Sequence, residues 1–402
     1  MAHLFYYIGK PIVKSPNLQT TMSFSVFDST LILCTSSTIL KFSLPQKSLE
    51  KLILPEPLEK QTIPHNNSMD SFQGITSVSF STRGDYFGIC TNKKQLCLYR
   101  TKDLSLLSNR TLVRAASRVK FTPKDDVIVA DKSGDAYVFS TSNPGNSGDL
   151  ILGHLSMLLD IVVSQDERFI ITADRDEKIR ISNFPNSYSI QSFCLGHTTF
   201  VSNILELPHD RRVLVSAGGD GTFRFWNYVD GTELKSVNFM EKVQEGLVER
   251  LNEDLKDLEL QEAVRNLPVK RLALQEIRDS PRESIMVSSF YGSGLLLVYQ
   301  VHEDLDVEFL QTIVEDEEPL EMILSGGKLW ILLDWGVKAY RLEGTFLPDS
   351  EVNNALGKLN DRWKELRASA SKQIYFPILY KRKFDNVQEY QERKKSRLKV
   401  SA

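Results

Sequence analysis

GHTTFVSNILELPHDRRVLVSAGGDGTFRFWNY, residues 196–228, opens on Gly-His and closes on an aromatic run. Between them FVSNILEL, RVLVSA and TFRFW alternate apolar with polar residues, the period of two that a strand needs when one face is buried. The links LPHD and GGDG carry the Gly, Pro and Asp of tight turns. The same scheme precedes it in GHLSMLLDIVVSQDERFIITADRDEKIRISNF (153–184), and in shorter form in SRVKFTPKDDVIVADKSGDAYVFS (117–140) and GITSVSFSTRGDYFGICTNKKQLCLYR (74–100). The positions that end the third run, Tyr99, Phe139, Ser182 and Trp226, stand 40, 43 and 44 residues apart. A period of about 40–45 residues with a Gly-His start and an aromatic finish marks WD-type propeller blades.

Weaker copies at 23–44, 269–300 and 318–342 bring the total to seven. The reading is therefore all-β: a seven-bladed β-propeller over 1–345, followed at 346–402 by a short helical and basic extension. The longer gaps between Phe42 and Tyr99 and between Trp226 and Tyr299 are assigned to insertions at about 45–73 and 230–268. LFYYIG (4–9) is expected to supply the outermost strand of the last blade, because a closed ring hides the strand edges that invite aggregation.

His197, Ser216, Asp220 and Trp226 occupy the places at which WD repeats carry a buried hydrogen-bond relay. The preceding blade offers His154, Thr172 and Asp176, with Ser182 where the indole would stand. These sets contain the letters of a Ser-His-Asp triad at the spacing of the fold, so they are assigned to structure. No catalytic residue is assigned. GGDG (218–221) and YGSG (291–294) run straight into strands, so they are hairpin turns and not nucleotide-binding loops, which need a following helix N-terminus.

Composition narrows the partners. The 402 residues carry a net charge of −3, which excludes an overall nucleic-acid-binding surface and leaves only local patches. No apolar run approaches the roughly 18–20 residues that span a bilayer, and MAHLFYYIGK does not read as a secretion signal. Cys34, Cys90, Cys97 and Cys194 lie in apolar runs without a CxxC pair, as expected of reduced buried thiols and not of a zinc site. One acidic segment, 241–264, has helical apolar spacing and is expected to pack on the rim. Residues 350–369 also read as helical, and 380–399 hold eight Lys or Arg against three acidic residues, chemistry that suits a phosphate backbone.

The run GHLSMLLDIVVSQDERFIITADRDEKIRIS, with SFCLGHTTFVSNI and LVSAGGDGTFRFW after it, closely resembles the WD-repeat, non-catalytic subunit family of eukaryotic tRNA (guanine-N7-)-methyltransferases. The tail LYKRKFDNVQEY is similar to that family's C-terminal segment. The resemblance implies a heterodimer with a catalytic subunit that binds S-adenosylmethionine and methylates a guanine of tRNA. This chain would need no cofactor, metal, membrane or small-molecule substrate of its own, and would meet tRNA through the complex, in the nucleus, with the cytoplasm as a second compartment. It also implies that Arg180 pairs with an acidic residue of the catalytic subunit, with Arg175, Glu177 and Lys178 around it, and that Lys381, Arg382 and Lys383 face RNA or partner. The alternative is a general WD-repeat scaffold using the same charged face for other proteins. A third reading is an enzyme with a site in the channel, against which stands the scatter of its six histidines.

Overall fold

The structure, a computed structural model, describes residues 22–58, 74–258, 260–368 and 379–380. It is a propeller of seven four-stranded antiparallel sheets, each built from consecutive strands. Blade 1 spans 22–53, blade 2 75–111, blade 3 116–153, blade 4 158–194, blade 5 201–238, blade 6 269–314 and blade 7 321–348. In each blade the first strand lines the central channel and the fourth forms the outer edge. The middle strands are buried on both faces, because the apolar core lies between successive blades: Phe169–Asp174 of blade 4 is buried along its whole length, while Thr232–Asn238 at the edge of blade 5 is largely exposed.

Three expectations change. The outermost strand of blade 7 is Thr345–Pro348, so that place is filled from the adjoining chain; residues 4–9 lie outside the described residues. The same strand carries the propeller past the boundary expected at 345. Both presumed insertions begin with the outer strand of a blade, Ser48–Ile53 and Thr232–Asn238. Outer strands are half solvated, so they lack the apolar alternation that marks the inner three.

Helix α1 (Leu247–Leu255) follows blade 5 and buries Leu251 and Leu255 in the core shared with blade 6, alongside Phe239 and Phe290. The ring closes through a core in which Phe24, Leu33 and Phe42 of blade 1 meet Trp330 and Leu332 of blade 7. Helices α2 (Ser350–Ala355) and α3 (Gly357–Ala368) plug its outer end with Val352, Leu356 and Trp363. Asp349 caps α2 through the N–H of Val352, and the Trp363 indole donates to the Leu333 carbonyl at 3.2 Å. No helix among the described residues is long and apolar enough to cross a membrane.

Blades are also joined by polar links at two levels. On the channel wall, Ser23, Ser77, Arg118, Asp160, Asn203, Arg271 and Glu321 occupy one register position, each opposite the penultimate residue of its second strand. Four of them accept a backbone N–H from the next blade: Ser23 from Val78 (2.9 Å), Ser77 from Val119 (3.1 Å), Asp160 from Ile204 (3.0 Å) and Asn203 from Leu272 (3.2 Å). Arg118 reaches Asp160, and Arg271 reaches Glu321. Below them, Thr82, Lys124 and Gln165 donate their backbone N–H groups to Asp125, Glu167 and Glu206 of the following blade.

Candidate partner-docking surface

Blade 5 shows the relay complete. The Trp226 indole N–H donates to Ser216 Oγ at 2.8 Å, Ser216 meets His197 Nε2 at 2.7 Å, and His197 Nδ1 meets Asp220 at 2.8 Å. With the indole as donor, the serine hydroxyl donates to Nε2, and Nδ1–H points at the carboxylate. Burial opposes ionisation of Asp220, but hydrogen bonds from His197 and Thr222 outweigh it and hold the carboxyl below its ordinary range. All four side chains are shut away from solvent, which suits a brace and leaves no room for a substrate.

In blade 4 the aspartate of the relay is Asp174, not Asp176. His154 Nε2 meets Thr172 Oγ1 at 2.8 Å and its Nδ1 meets Asp174 at 3.1 Å. Asp174 also closes the turn by accepting the N–H groups of Asp176 (2.9 Å) and Lys178 (3.1 Å). The cause is steric. Asp174 stands where blade 5 has Gly218, and a Cβ on Gly218 would lie 1.8 Å from the Phe200 carbonyl oxygen, so blade 5 must take its carboxylate two residues later. A signal for Asp174 existed in blade 3, where Asp131 closes the same turn through Ser133 and Asp135. Asp131 has no histidine, and there burial prevails and pushes its carboxyl up.

Freed from the relay, Asp176 is half-buried with Oδ1 shielded and unbonded, as is Nε of Arg175 beside it. Glu177 and Lys178 are exposed, and Glu177 takes a left-handed conformation (φ 74°) that tightens the turn.

Arg180 and Arg224 hold equivalent places, opposite Thr172 and Ser216 respectively. Arg224 is neutralised within its own blade, by Glu233 and, at 3.7 Å, by Asp220. Arg180 has no ion pair among the described residues. Its Nε donates to Ser182 Oγ at 3.1 Å and its Nη1 to the Gly153 carbonyl at 3.1 Å. Burial disfavours its charge, with Asp174 giving only partial compensation. Thus Ser182, where Trp226 would stand, serves to orient a guanidinium.

An open cavity of about 270 Å³ adjoins Arg180, lined by Leu150, Ile151, Gly153, Tyr188 and Ile190 among others. Leu150, Tyr188 and Ile190 are exposed, as are Phe193, the cross-strand neighbour of Arg180, and Leu155 and Leu195 on either side. Exposed apolar residues gathered in this way mark interaction surfaces. The resemblance named the cation, and sequence reading did not name this apolar surround, because strands 149–153 and 190–194 carry little alternation.

Lys381, Arg382 and Lys383 lie outside the described residues. Tyr380, just before them, packs edge-on against Phe200 with ring centroids 5.2 Å apart, at the entry to blade 5. The four cysteines are free and buried, and burial pushes the thiols of Cys97 and Cys194 up to about 12. No group of three or more His, Cys, Asp or Glu side chains able to hold a metal gathers among the described residues.

Residues 140–334 match the family model described as the tRNA methyltransferase TRM82 WD40 domain. The mouse tRNA (guanine-N(7)-)-methyltransferase non-catalytic subunit WDR4 is 35% identical over 88% of this chain and 83% of its own length. Its human counterpart is 35% identical over 79% and 75%, and the wuho subunit of Drosophila yakuba 40% identical over 46% and 44%. Among solved structures, a chain of the Mitotic Checkpoint Complex superposes with a TM-score of 0.63 at 14% identity, covering 85% of this chain and all of that one. The RRP9 WD40 repeats give 0.58 at 15% identity, over 79% and 88%. At such identity these two likenesses speak for the propeller alone.

Proposed function

This chain belongs to the family of WD-repeat non-catalytic subunits of tRNA (guanine-N(7)-)-methyltransferases, and on that premise we propose that it docks the catalytic subunit on the flank of blades 3 and 4, around Arg180, as a heterodimer acting on tRNA. Its own role is accessory. The observation that carries the docking site is the contrast between equivalent arginines: Arg224 is neutralised internally, while Arg180 is half-buried, held in place by Ser182 and Gly153, and without a carboxylate partner among the described residues. A partner carboxylate would complete the pair, the apolar residues around it would exclude water, and Arg175, Glu177 and Lys178 would form the polar rim.

tRNA is met through the complex, with Lys381, Arg382 and Lys383 contributing phosphate contacts. Nuclear residence belongs to the same proposal; KRK (381–383) and RKK (393–395) suit an import signal, and imaging the tagged chain tests it.

Truncating one member of a desolvated interfacial ion pair costs about 2–5 kcal/mol, largely because the other charge is stranded. Arg180→Leu is therefore expected to weaken capture of the catalytic subunit and lower tRNA methylation without changing the melting temperature. Full retention of the methyltransferase by the variant, at near-physiological salt, refutes the site. Affinity purification of the wild-type chain that yields other assemblies and no methyltransferase favours the general scaffold instead.

A further inference from the structure

The channel wall carries a charge imbalance that the docking surface does not use. Three cations, Arg118, Lys120 and Arg271, face two carboxylates, Asp160 and Glu321, within the ring of inter-blade links. Both carboxylates are fully committed. Asp160 accepts the N–H groups of Ile161 and Ile204 and also meets Arg118 (3.3 Å) and Lys120 (2.9 Å). Glu321 takes Arg271 in a two-pronged pair and accepts the N–H of Met322.

Arg118 is left over. It meets Asp160 only through Nε, without hydrogen-bond alignment, and its terminal nitrogens have no acceptor among the described residues. An unneutralised charge in a partly desolvated site is costly and attracts a counter-ion. Burial and the neighbouring arginines also depress the Lys120 ammonium, despite Asp160.

On the blade 1 and 2 side, the same ring offers hydroxyls in place of charges. Ser23 and Ser77 each use Oγ to accept a backbone N–H, which leaves the O–H free to donate. Further along the same strands is an open cavity of about 390 Å³, lined by Phe121, Val162, Leu205 and Leu274 together with Arg211, Glu206 and Glu276.

We propose that the central channel binds a small oxyanion of the phosphate class at the terminal nitrogens of Arg118, in the field of Lys120, with the hydroxyls of Ser23 and Ser77 as further donors. The site is separate from the Arg180 flank, so its failure would leave the docking proposal intact.

Ser77→Asp is the sharpest test. Ser77 Oγ accepts the N–H of Val119, the residue that follows Arg118, so Ser77→Asp places a carboxylate on the blade beside that cation. The purified full-length chain is titrated with inorganic phosphate and, separately, acetate, with ionic strength held constant by chloride. Heat of binding and melting temperature are both followed. The wild type is expected to show a saturable heat and a rise of a few degrees with phosphate, and a weaker response to acetate. Ser77→Asp is expected to melt higher than wild type without phosphate and to lose the response. Arg118→Met is expected to lose it as well; should that variant not fold, Lys120→Gln takes its place. No saturable response in the wild type, equal responses to phosphate and chloride, or undiminished phosphate binding by Ser77→Asp overturns the proposal.

Discussion

Blades 4 and 5 share a four-stranded antiparallel build, a histidine relay and an arginine on the third strand, yet they spend their polar groups in opposite ways. Blade 5 is closed on itself: Trp226 completes the relay, and Glu233 with Asp220 neutralises Arg224. Blade 4 has Ser182 for the indole and Ile190 at the register position of Glu233, since Ser182 pairs with Ile190 as Trp226 pairs with Glu233. Two substitutions relative to its neighbour therefore turn a self-satisfied edge into one with an apolar surround and a spare cation. The lesson is that an interface can be built by withholding an internal partner, with no new element added to the fold.

Breaking blade 5 should cost the most stability. Trp226→Ala removes a fully buried indole and takes from Ser216 Oγ its donor, for about 3–5 kcal/mol by chemical denaturation, whereas Ser182→Ala in blade 4 should cost about 1 kcal/mol. Equal losses would erase the distinction between the blades.

The arginines should separate by assay. Arg180→Leu lowers partner affinity as stated above, while Arg224→Leu should leave that affinity unchanged and destabilise the fold by roughly 1–3 kcal/mol, since Glu233 and Asp220 lose their cation. Loss of capture by both variants alike would place the docking surface elsewhere.

Converting one blade into the other sharpens the point. Ile190→Glu recreates Glu233 beside Arg180, so the cation is satisfied internally; capture of the catalytic subunit should fall by at least about tenfold, or 1.4 kcal/mol, in a pull-down, with the melting temperature kept. Unimpaired capture would show that the spare charge is irrelevant.

The relay assignments part on one residue pair. Asp174→Ala should lower the melting temperature by several degrees, and Asp176→Ala should leave it close to wild type; the reverse order would restore Asp176 to the relay. The smallest effect is with pH. Asp174 and Asp220 are both held below the ordinary carboxylate range, with hydrogen bonds from their histidines outweighing burial. Their contribution is therefore present above the unfolded value of about 3.9 and lost as pH falls through the lower folded values. Acid titration of the unfolding free energy should show this limb, and Asp220→Asn should flatten it.

Much of this was written in the chain. The repeat near residues 74–228 announced the blades, the Gly-His and Gly-Gly-Asp-Gly turns announced the relay of blade 5, and Arg180 was singled out only through the family resemblance that Asp-Arg-Asp-Glu-Lys-Ile-Arg carries. The outer strands were not legible, because half-solvated edges have no apolar period to read. Asp176 was misread because aligning two repeats residue by residue assumes that their turns share a shape, and Gly218 gives blade 5 a turn that blade 4 does not have.

Local pattern alone thus determined that the chain would fold into seven sheets and that most of its polar letters would serve the fold, since alternation and turn chemistry act over a few residues. Only the tertiary structure decided which charges are spent and which are spare. Asp160, Glu233 and Glu321 meet their cations across strands or across blades, and Arg180 is distinguished by having no carboxylate partner among the described residues. Coulomb attraction and desolvation depend on distance in space, and sequence separation carries no measure of either.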